Sequence, residues 1–257
     1  GNNNNGADYQ GSMADFLMLV IVDKTENTYS FLQFNRDTMT EVALIDHNGE
    51  GEATANIQLC TAHWYGGNRE QSCENTVKSV KKLLGGIQID GYYELNMSEI
   101  PKLNNMVDGV TVTLEDDFSK KYPKMKKGAT INLDDEQAYA YVHDRYGVGD
   151  EENTSRMKRQ QQYMTGFFKK LQEKVKANPN YANEVFESLQ DVSTTDITIG
   201  KISNISNIFA SGTDKGIFEL AGKSKIGQAL GDEIDHMEFY VNKKAMVSTM
   251  SELFGIV

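Results

Sequence analysis

The sequence predicts an α/β fold, a single α/β/α domain in which helices cover a central mixed β-sheet. Three observations support this class. Residues 16–22 form a continuous apolar run of strand length, residues 28–34 follow as a second strand, and strand and helix patterns then alternate without a linker or a repeat. The chain has 257 residues, which is enough for one large core.

Each element follows from a local pattern. Residues 16–22 lack polar alternation, so we expect this strand to lie in the middle of the sheet with both faces buried. Further strands are predicted where β-branched or aromatic residues cluster: 41–45, 92–95, 110–114 and 239–241. Helices are predicted from helical spacing and end signals: 74–84, 98–106, 134–142, 154–175, 180–190, 200–210, 213–221 and 243–254.

Composition excludes some classes of function. The formal net charge of −11 disfavours binding to a nucleic-acid backbone, which requires clustered cations. No segment of the sequence is long and apolar enough to span a bilayer. Residues 1–10 contain an asparagine run and are expected to be a flexible start or a cloning remnant, which leaves 11–257 as the domain.

Common nucleophile and phosphate-loop motifs are absent from the sequence. It has no Gly-x-x-x-x-Gly-Lys-Ser/Thr loop, no Gly-x-Ser-x-Gly elbow and no His-Glu-x-x-His helix, and its four histidines are scattered. The two cysteines, Cys60 and Cys73, form either a disulfide or a pair of buried free thiols. Neither has the ligand spacing of a structural zinc site.

Two arginines follow the ends of predicted elements. Arg36 lies in Asn35-Arg36-Asp37-Thr38, directly after the second strand, where α/β folds place ligand sites. Arg145 follows Asp144 at the end of a predicted helix. The alternatives are a surface salt bridge with a turn for Arg36, and a cation that complements the helix C-terminus for Arg145.

A third cationic group opens the predicted helix 154–175. Arg156, Arg159 and Gln160 are spaced i, i+3 and i+4, so they share one face of its first turns. The helix dipole adds to their field, and arginine binds phosphate oxygens in a bidentate way. This pattern predicts a phosphate or pyrophosphate site, with a solvated basic face as the alternative. Asp15, at the start of the first strand, is either a salt-bridge partner of the arginines or a Mg²⁺ ligand.

These pieces occur in one order along the chain: 14–20, 35–39, 65–67, 83–93, 107–110, 137–142 and 156–161. The most specific are Arg36-Asp37-Thr38 and Arg156-Met157-Lys158-Arg159-Gln160-Gln161, taken together. The succession resembles the LytR-CpsA-Psr (LCP) family of cell-envelope glycopolymer phosphotransferases. The resemblance covers residues 11–175, and the rest of the chain by the order of elements.

The resemblance implies a fold, an activity and a location. The family's α/β/α domain encloses an apolar pocket for a polyprenyl tail, with arginines and Mg²⁺ holding the pyrophosphate at its mouth. The implied activity is transfer of a phosphate-linked glycopolymer, a teichoic acid or capsule, from a polyprenyl-pyrophosphate carrier to peptidoglycan. The implied location is the extracellular face of the cell membrane of a Gram-positive bacterium, with a membrane anchor that is absent from this chain. In that setting a disulfide between Cys60 and Cys73 is reasonable.

The residue patterns and the resemblance together predict the site. Catalytic roles are expected for Arg36, Asp37, Arg145 and Arg156. Substrate binding is expected for His143, Arg159 and Gln160. The Mg²⁺ ligand is expected to be Asp15. Asp37 is the candidate base for the acceptor hydroxyl. Phe167, Phe168 and Leu171 are expected to be ordinary core residues rather than a lining of the lipid pocket.

The sequence departs from the family pattern at several positions. His143 replaces the first arginine of an Arg-x-Arg pair, and Met13 replaces a frequent arginine two residues before the acid. A family lysine has Thr54 as its nearest candidate, and Asp8 is a poorly aligned substitute for a second metal-binding aspartate. These departures keep two alternatives open: a polyprenyl-pyrophosphate hydrolase, and a lipid-carrier binding protein without turnover.

Overall fold

The computed structural model describes residues 9–51 and 53–255. Asp8 and most of the predicted flexible start therefore lie outside the described residues. The strands are β1 (Leu17–Asp23), β2 (Thr28–Phe34), β3 (Met39–Ala43), β4 (Thr54–Gln58), β5 (Tyr93–Leu95), β6 (Val110–Thr113), β7 (Thr130–Leu133), β8 (Ser193–Thr195), β9 (Thr213–Glu219), β10 (Gly222–Gly227) and β11 (His236–Val241). The α-helices are α1 (Arg69–Leu83), α2 (Ile100–Met106), α3 (Asp135–His143), α4 (Asn153–Ala177), α5 (Tyr181–Ser188), α6 (Ile199–Ser211) and α7 (Lys243–Phe254).

The main sheet is mixed, as predicted, and within the described residues it has three strands. β2 pairs antiparallel with β1 and parallel with β9. The remaining strands form separate antiparallel ladders, namely β3–β4, β5–β8, β6–β7 and β10–β11. The predicted α/β class is confirmed.

The central strand of this sheet is β2, and the prediction that residues 16–22 occupy the middle is wrong. Among the described strands β1 pairs only with β2, and Val20 on β1 is 51% exposed. Leu32 on β2 is fully buried. An apolar run reports strand propensity, whereas its place in the sheet depends on which distant strand pairs beside it.

The predicted helix 213–221 is also wrong, because these residues form β9. Ile217 and Phe218 lie beside Phe31 and Leu32 in the parallel pairing with β2, and this long-range pairing overrides the local pattern. The sequence patterns also missed several short strands: β4, β7, β8 and β10.

The other helices occur where they were predicted. Asp134 caps α3 by accepting from the Gln137 backbone amide, and the Gln137 side chain accepts from the Asp134 amide in return. α1 begins earlier than predicted, at Arg69, because Asn68 caps a polar first turn that carries no apolar periodicity. No helix within 9–51 and 53–255 has the length and apolar character needed to cross a bilayer.

Helices cover both faces of β2. Phe31 stacks on Phe168 of α4, with ring centroids 4.2 Å apart and planes 8° from parallel. On the opposite face, Leu32 and Phe34 belong to a core cluster that includes Val80 of α1 and Met250 of α7. A second cluster packs α3 and α4 against β6 and β7, and it contains Phe167 with Phe168 and Leu171 at its edge. These three side chains therefore pack in the core.

Cys60 and Cys73 are buried free thiols, so the disulfide expectation is not met. The Cys73 Sγ lies 3.9 Å from His63 Nε2, and the other ring nitrogen of His63 lies 2.9 Å from the Ser12 carbonyl oxygen. Burial raises the pKa of Cys73 to about 12, so the thiol is protonated at neutral pH.

We expect Leu32→Ala to lower the free energy of unfolding by about 2–5 kcal/mol, because it leaves a cavity at the centre of the sheet. The matched change Val20→Ala on exposed β1 should cost less than about 1 kcal/mol. Urea denaturation of both variants measures the difference. Equal losses would contradict the assignment of β2 as the central strand.

Candidate anion-binding site

Most of the predicted site residues meet at one cavity. The cavity has a volume of about 400 Å³ and is lined by Asp15, Arg36, His143, Asp144, Arg145, Tyr146 and Arg156. Three arginines face two carboxylates there, so the lining is net positive. The sequence predicted five of these residues, and Asp144 and Tyr146 join them as chain neighbours of Arg145.

Four segments of the chain supply the lining through the ends of regular elements, one of them being residues 143–146 at the end of α3. Asp15 precedes β1, Arg36 follows β2, and Arg156 lies in the first turn of α4. The turn after β2 is fixed by Asn35, whose carbonyl accepts from both the amide and the hydroxyl of Thr38. The segment before β1 is held in place where the Ala14 amide donates to the Cys60 carbonyl over 3.1 Å.

Asp15 bridges two of the arginines. Its Oδ1 accepts from Arg36 Nη1 at 3.0 Å and from Arg156 Nη1 at 3.3 Å. Arg156 is only 5% exposed, so this pairing offsets part of the cost of burying its charge. Of the two alternatives for Asp15, the described residues therefore show the salt-bridge partner directly.

The arginines retain donors that no group in the structure satisfies. The buried Nε atoms of Arg36, Arg145 and Arg156 have no hydrogen-bond partner within the described chain. Burial lowers the pKa of Arg156 from its ordinary value, and the nearby positive charges of Arg36 and Arg145 add to this against the attraction of Asp15. Unpartnered buried donors and mutually repelling cations both favour the binding of an anion here.

Two buried asparagines hold this cluster, and the sequence patterns did not identify them as a pair. Arg156 Nη2 donates to Asn153 Oδ1 at 2.8 Å, and Asn153 Nδ2 donates to Asn35 Oδ1 at 3.0 Å. The same Asn35 oxygen accepts from the Asp37 amide at 2.9 Å. The chain of contacts fixes the start of α4 to the turn that carries Arg36. The sequence offered one signal for this pair: Asn35 directly precedes Arg36, and Asn153 lies three residues before Arg156.

Asp37 lies behind the lining rather than in it. Burial raises the pKa of its carboxyl, and the positive charges of Arg36, Arg156 and Arg145 only partly oppose this. The structure therefore brings Asp37 within the field of the three arginines without making it part of the cavity surface.

Arg159 and Gln160 do not reach the cavity, which corrects their predicted contact with a ligand. Arg159 is 1% exposed; its Nε donates to the Tyr141 carbonyl at 3.0 Å, and its other nitrogens pair with Asp116 and the Asp144 carbonyl. Gln160 donates to the Val142 carbonyl at 3.0 Å. Their spacing on α4 correctly placed them on one face with Arg156, but both side chains are buried and donate to backbone carbonyls of α3 and of the residue that follows it. Both side chains fix the segment that carries Arg145.

The positions that depart from the family pattern also have definite places. His143 lies 3.2 Å from Asp144 and stacks on Tyr139, with ring centroids 4.7 Å apart. The Met13 sulfur accepts a contact from Arg36 Nη2 at 3.3 Å. Thr54 begins β4 opposite Ala43 and is not part of the lining.

A cation would find few protein ligands in this cavity. In the part of the chain that the structure describes, no three Asp, Glu, His or Cys side chains surround a common point. The available oxygen donors are Asp15, which is shared with two arginines, and Asp144. This donor set suits a hard divalent ion that takes most of its remaining ligands from water and substrate phosphates, as Mg²⁺ does.

The mixed sheet covered by helices, with three arginines at one cavity, defines an α/β protein whose cavity lining is suited to anionic, phosphate-like groups. The profile of the LytR_cpsA_psr family matches residues 4–254, and the chain belongs to this family. The expected family is thereby confirmed.

Relatives and solved structures agree with this assignment. The chain is 29% identical over 168 residues to the polyisoprenyl-teichoic acid–peptidoglycan teichoic acid transferase TagU of Bacillus cereus, which is 64% of this chain and 50% of that protein. It thus spans about half the length of this curated relative. The fold matches TagV of B. subtilis with a TM-score of 0.71 at 20% identity, over 96% of this chain and 92% of that one. A structure of TagT bound to LIIa-WTA matches with a TM-score of 0.68 at 20% identity, over 95% and 85%.

The raised pKa of Asp37 gives a pH-dependent prediction. Its folded-state pKa lies above the ordinary 3.8, so the ionised carboxylate destabilises the fold at neutral pH and this penalty disappears as pH falls. We expect Asp37→Asn to be more stable than the wild type at pH 7, with a gap that closes on acidification.

The exposed Asp46 is a control of opposite sign, because backbone amides of Glu50 and Asn48 lower the pKa of its carboxyl. Asp46→Asn should be less stable than the wild type at pH 7 and approach it as pH falls. Urea midpoints between pH 7 and 4 measure both. A gap for Asp37→Asn that does not change with pH would contradict the burial argument.

Proposed function

We propose that this chain is a phosphotransferase that moves a phosphate-linked glycopolymer from a polyprenyl-pyrophosphate carrier to peptidoglycan during cell wall assembly. The observation that carries the proposal is the set of three arginines with unpartnered buried Nε donors at one cavity. The name of the B. cereus relative, a teichoic acid transferase, supports the reaction class. The TagT structure bound to LIIa-WTA supports a ligand of the same kind.

The proposed reaction breaks one phosphoanhydride bond. A hydroxyl oxygen of a wall sugar attacks the phosphorus that carries the glycopolymer. The bridging P–O bond breaks, polyprenyl phosphate leaves with the electron pair, and a phosphodiester joins the wall sugar to the glycopolymer. The hydroxyl proton passes to a base. Such chemistry depends mainly on positioning and charge stabilisation, so it needs no covalent nucleophile.

The arginines have separate tasks in this scheme. Arg36 and Arg156 are held by Asp15, so their remaining donors are oriented before a ligand arrives. Arg145 lies against the Tyr146 ring, with its guanidinium carbon 4.6 Å from the ring centroid, and adds a third cation to the lining. Together they neutralise the pyrophosphate and the charge that develops on the leaving phosphate.

Mg²⁺ is the proposed cofactor, and Asp15 is its proposed protein ligand. When bound, the ion would neutralise charge on the pyrophosphate oxygens. Asp15 also serves the two arginines, so the protein's hold on the ion would depend on substrate phosphates.

Asp37 is the proposed base for the acceptor hydroxyl; because it is not among the residues that line the cavity, it would take the proton through one intervening water. Its raised pKa makes it a better proton acceptor than an ordinary aspartate, and the arginines around it stabilise its ionised form until substrate binds. His143, on the cavity lining, is the proposed contact to the substrate where the family usually has an arginine. The apolar pocket for the polyprenyl tail, the extracellular location and the membrane anchor remain predictions from the family.

One observation favours a second function, a lipid-carrier binding protein without turnover. Met13 and His143 stand where the family often has arginines, so this cavity has fewer cations to stabilise a leaving phosphate. A hydrolase that passes the phosphoryl group to water would use the same residues as the transferase and differ only in its acceptor.

The deciding experiment incubates the protein with a polyprenyl-pyrophosphoryl oligosaccharide and Mg²⁺, with and without peptidoglycan fragments, and follows lipid and sugar by mass spectrometry. A sugar-phosphate adduct on peptidoglycan with released polyprenyl phosphate supports the transferase. Cleavage without an adduct identifies the hydrolase. Binding without cleavage identifies the carrier-binding protein.

We expect Arg36→Ala to lower kcat/KM by at least about a hundredfold, because it removes charge stabilisation at the breaking bond. The control Arg69→Gln changes another half-buried arginine, which pairs with Glu94 away from the cavity, and should keep near wild-type turnover. The same assay reports both variants, and circular dichroism checks that each is folded. Wild-type turnover by Arg36→Ala would exclude its catalytic role.

A further inference from the structure

The connection between β6 and β7 carries a concentration of positive charge that the site does not use. Near its start the connection has three acids, Glu115, Asp116 and Asp117, but residues 118–129 contain five lysines and no acidic residue, in a chain with a net charge of −11. All of these lysines are exposed: Lys120, Lys121, Lys124, Lys126 and Lys127. This local cationic surface attracts anions, although the overall negative charge of the protein repels them.

The lysine loop, residues 118–129, is held in a defined conformation. Phe118 and Met125 are buried in the core cluster formed by β6, β7, α3 and α4. The Phe118 amide donates to the Met125 carbonyl at 2.9 Å, and the Met125 amide donates to the Tyr122 carbonyl at 2.8 Å. The large apolar side chains of the loop thus face inward, and the ammonium groups are left on the outer surface.

The loop lies beside the arginine cavity. Lys121 Nζ is 3.4 Å from the Oδ2 of Asp144, a lining residue. The Phe118 ring packs near Tyr141 of α3, with centroids 5.7 Å apart. Just before the loop, Asp116 pairs with Arg159, which also holds the Asp144 carbonyl. A chain that leaves the cavity past Asp144 would meet Lys121 of this loop.

We propose that the lysine loop binds the polyanionic chain of the donor glycopolymer, through the repeating phosphodiesters that follow the pyrophosphate. This inference rests on the proposed function, since it assigns the next part of the same substrate. Spaced phosphates and exposed lysines attract each other through counterion release, which gives strong salt dependence and little sequence or sugar selectivity. The overall negative charge of the protein would otherwise repel such a polymer.

An anionic lipid surface is the competing partner for a lysine cluster. The inward orientation of Phe118 and Met125 argues against it, because the loop presents no large apolar side chain for insertion at a bilayer interface. The polymer is also delivered next to the loop by the ligand of the cavity itself, at a high effective concentration.

The test uses the whole chain and a variant with Lys120, Lys124, Lys126 and Lys127 changed to Gln. Lys121 is kept because it contacts the lining residue Asp144. The control variant makes the same charge change at exposed lysines of the C-terminal part: Lys215, Lys223, Lys243 and Lys244. Binding of a soluble glycerol-phosphate oligomer is measured by calorimetry at several salt concentrations, with a neutral dextran oligomer as the uncharged comparison.

We expect the loop variant to bind the glycerol-phosphate oligomer at least about fivefold more weakly at low salt, with a shallower salt dependence. The control variant should stay close to the wild type. Equal weakening of both variants, or none in the loop variant, would overturn the proposal. Vesicles containing phosphatidylglycerol form a third arm. Loss of vesicle binding with oligomer binding retained would show that the loop contacts membrane instead, and would also overturn it.

Turnover separates this inference from the proposed function. The ratio of KM for a long polyanionic donor to KM for a donor carrying one disaccharide should rise in the loop variant and not in the control. Absence of turnover by the wild type would refute the proposed function, while the binding arm would still decide on the loop. An unchanged KM ratio in an active enzyme would refute a role for the loop in holding the donor.

Discussion

The shared carboxylate of Asp15 is the interaction on which the cavity depends. It accepts from Arg36 and Arg156, which lie 120 positions apart in the sequence, and so joins the segment before β1, the turn after β2 and the start of α4. Without it, the buried guanidinium group of Arg156 and the part-buried one of Arg36 would lie close together with no carboxylate between them. Asn35 and Asn153 complete the arrangement, because they fix the Arg156 side chain from behind.

The same arrangement destabilises the empty cavity and prepares it to bind an anion. Burial opposes the charge of Arg156 and the ionisation of Asp37, and several arginine nitrogens have no partner in the described structure. An anion would give the unpartnered arginine donors hydrogen-bond partners. The cost of burying these donors in the empty protein would then be recovered on binding. α4 keeps the geometry rigid, since its first turn carries Arg156 and its middle packs on Phe31 through Phe168.

The sequence was sufficient to predict the class of fold and five of the seven residues that line the cavity. Arg36, Arg145 and Arg156 were predictable because each follows or begins a regular element. Arg159 was misplaced, because helical spacing identifies a face and gives no depth, and this side chain ends on Asp116. β9 was missed because its pairing with β2 spans most of the chain. The lysine loop carries no pattern of a helix or strand. The contact of Lys121 with Asp144 is what places the loop beside the cavity.

The position of Asp15 directly before β1 has a thermodynamic consequence. Within the described sheet β1 pairs with β2 alone and its Val20 is 51% exposed, so we expect its amides to open at lower cost than those of β2. An anion that binds the free donors of the arginines while Asp15 still holds them would strengthen the contacts that tether this strand. Binding of an anion in the cavity should therefore change the hydrogen-exchange protection of the β1 amides, and opening of β1 should change the affinity for the anion by the same factor.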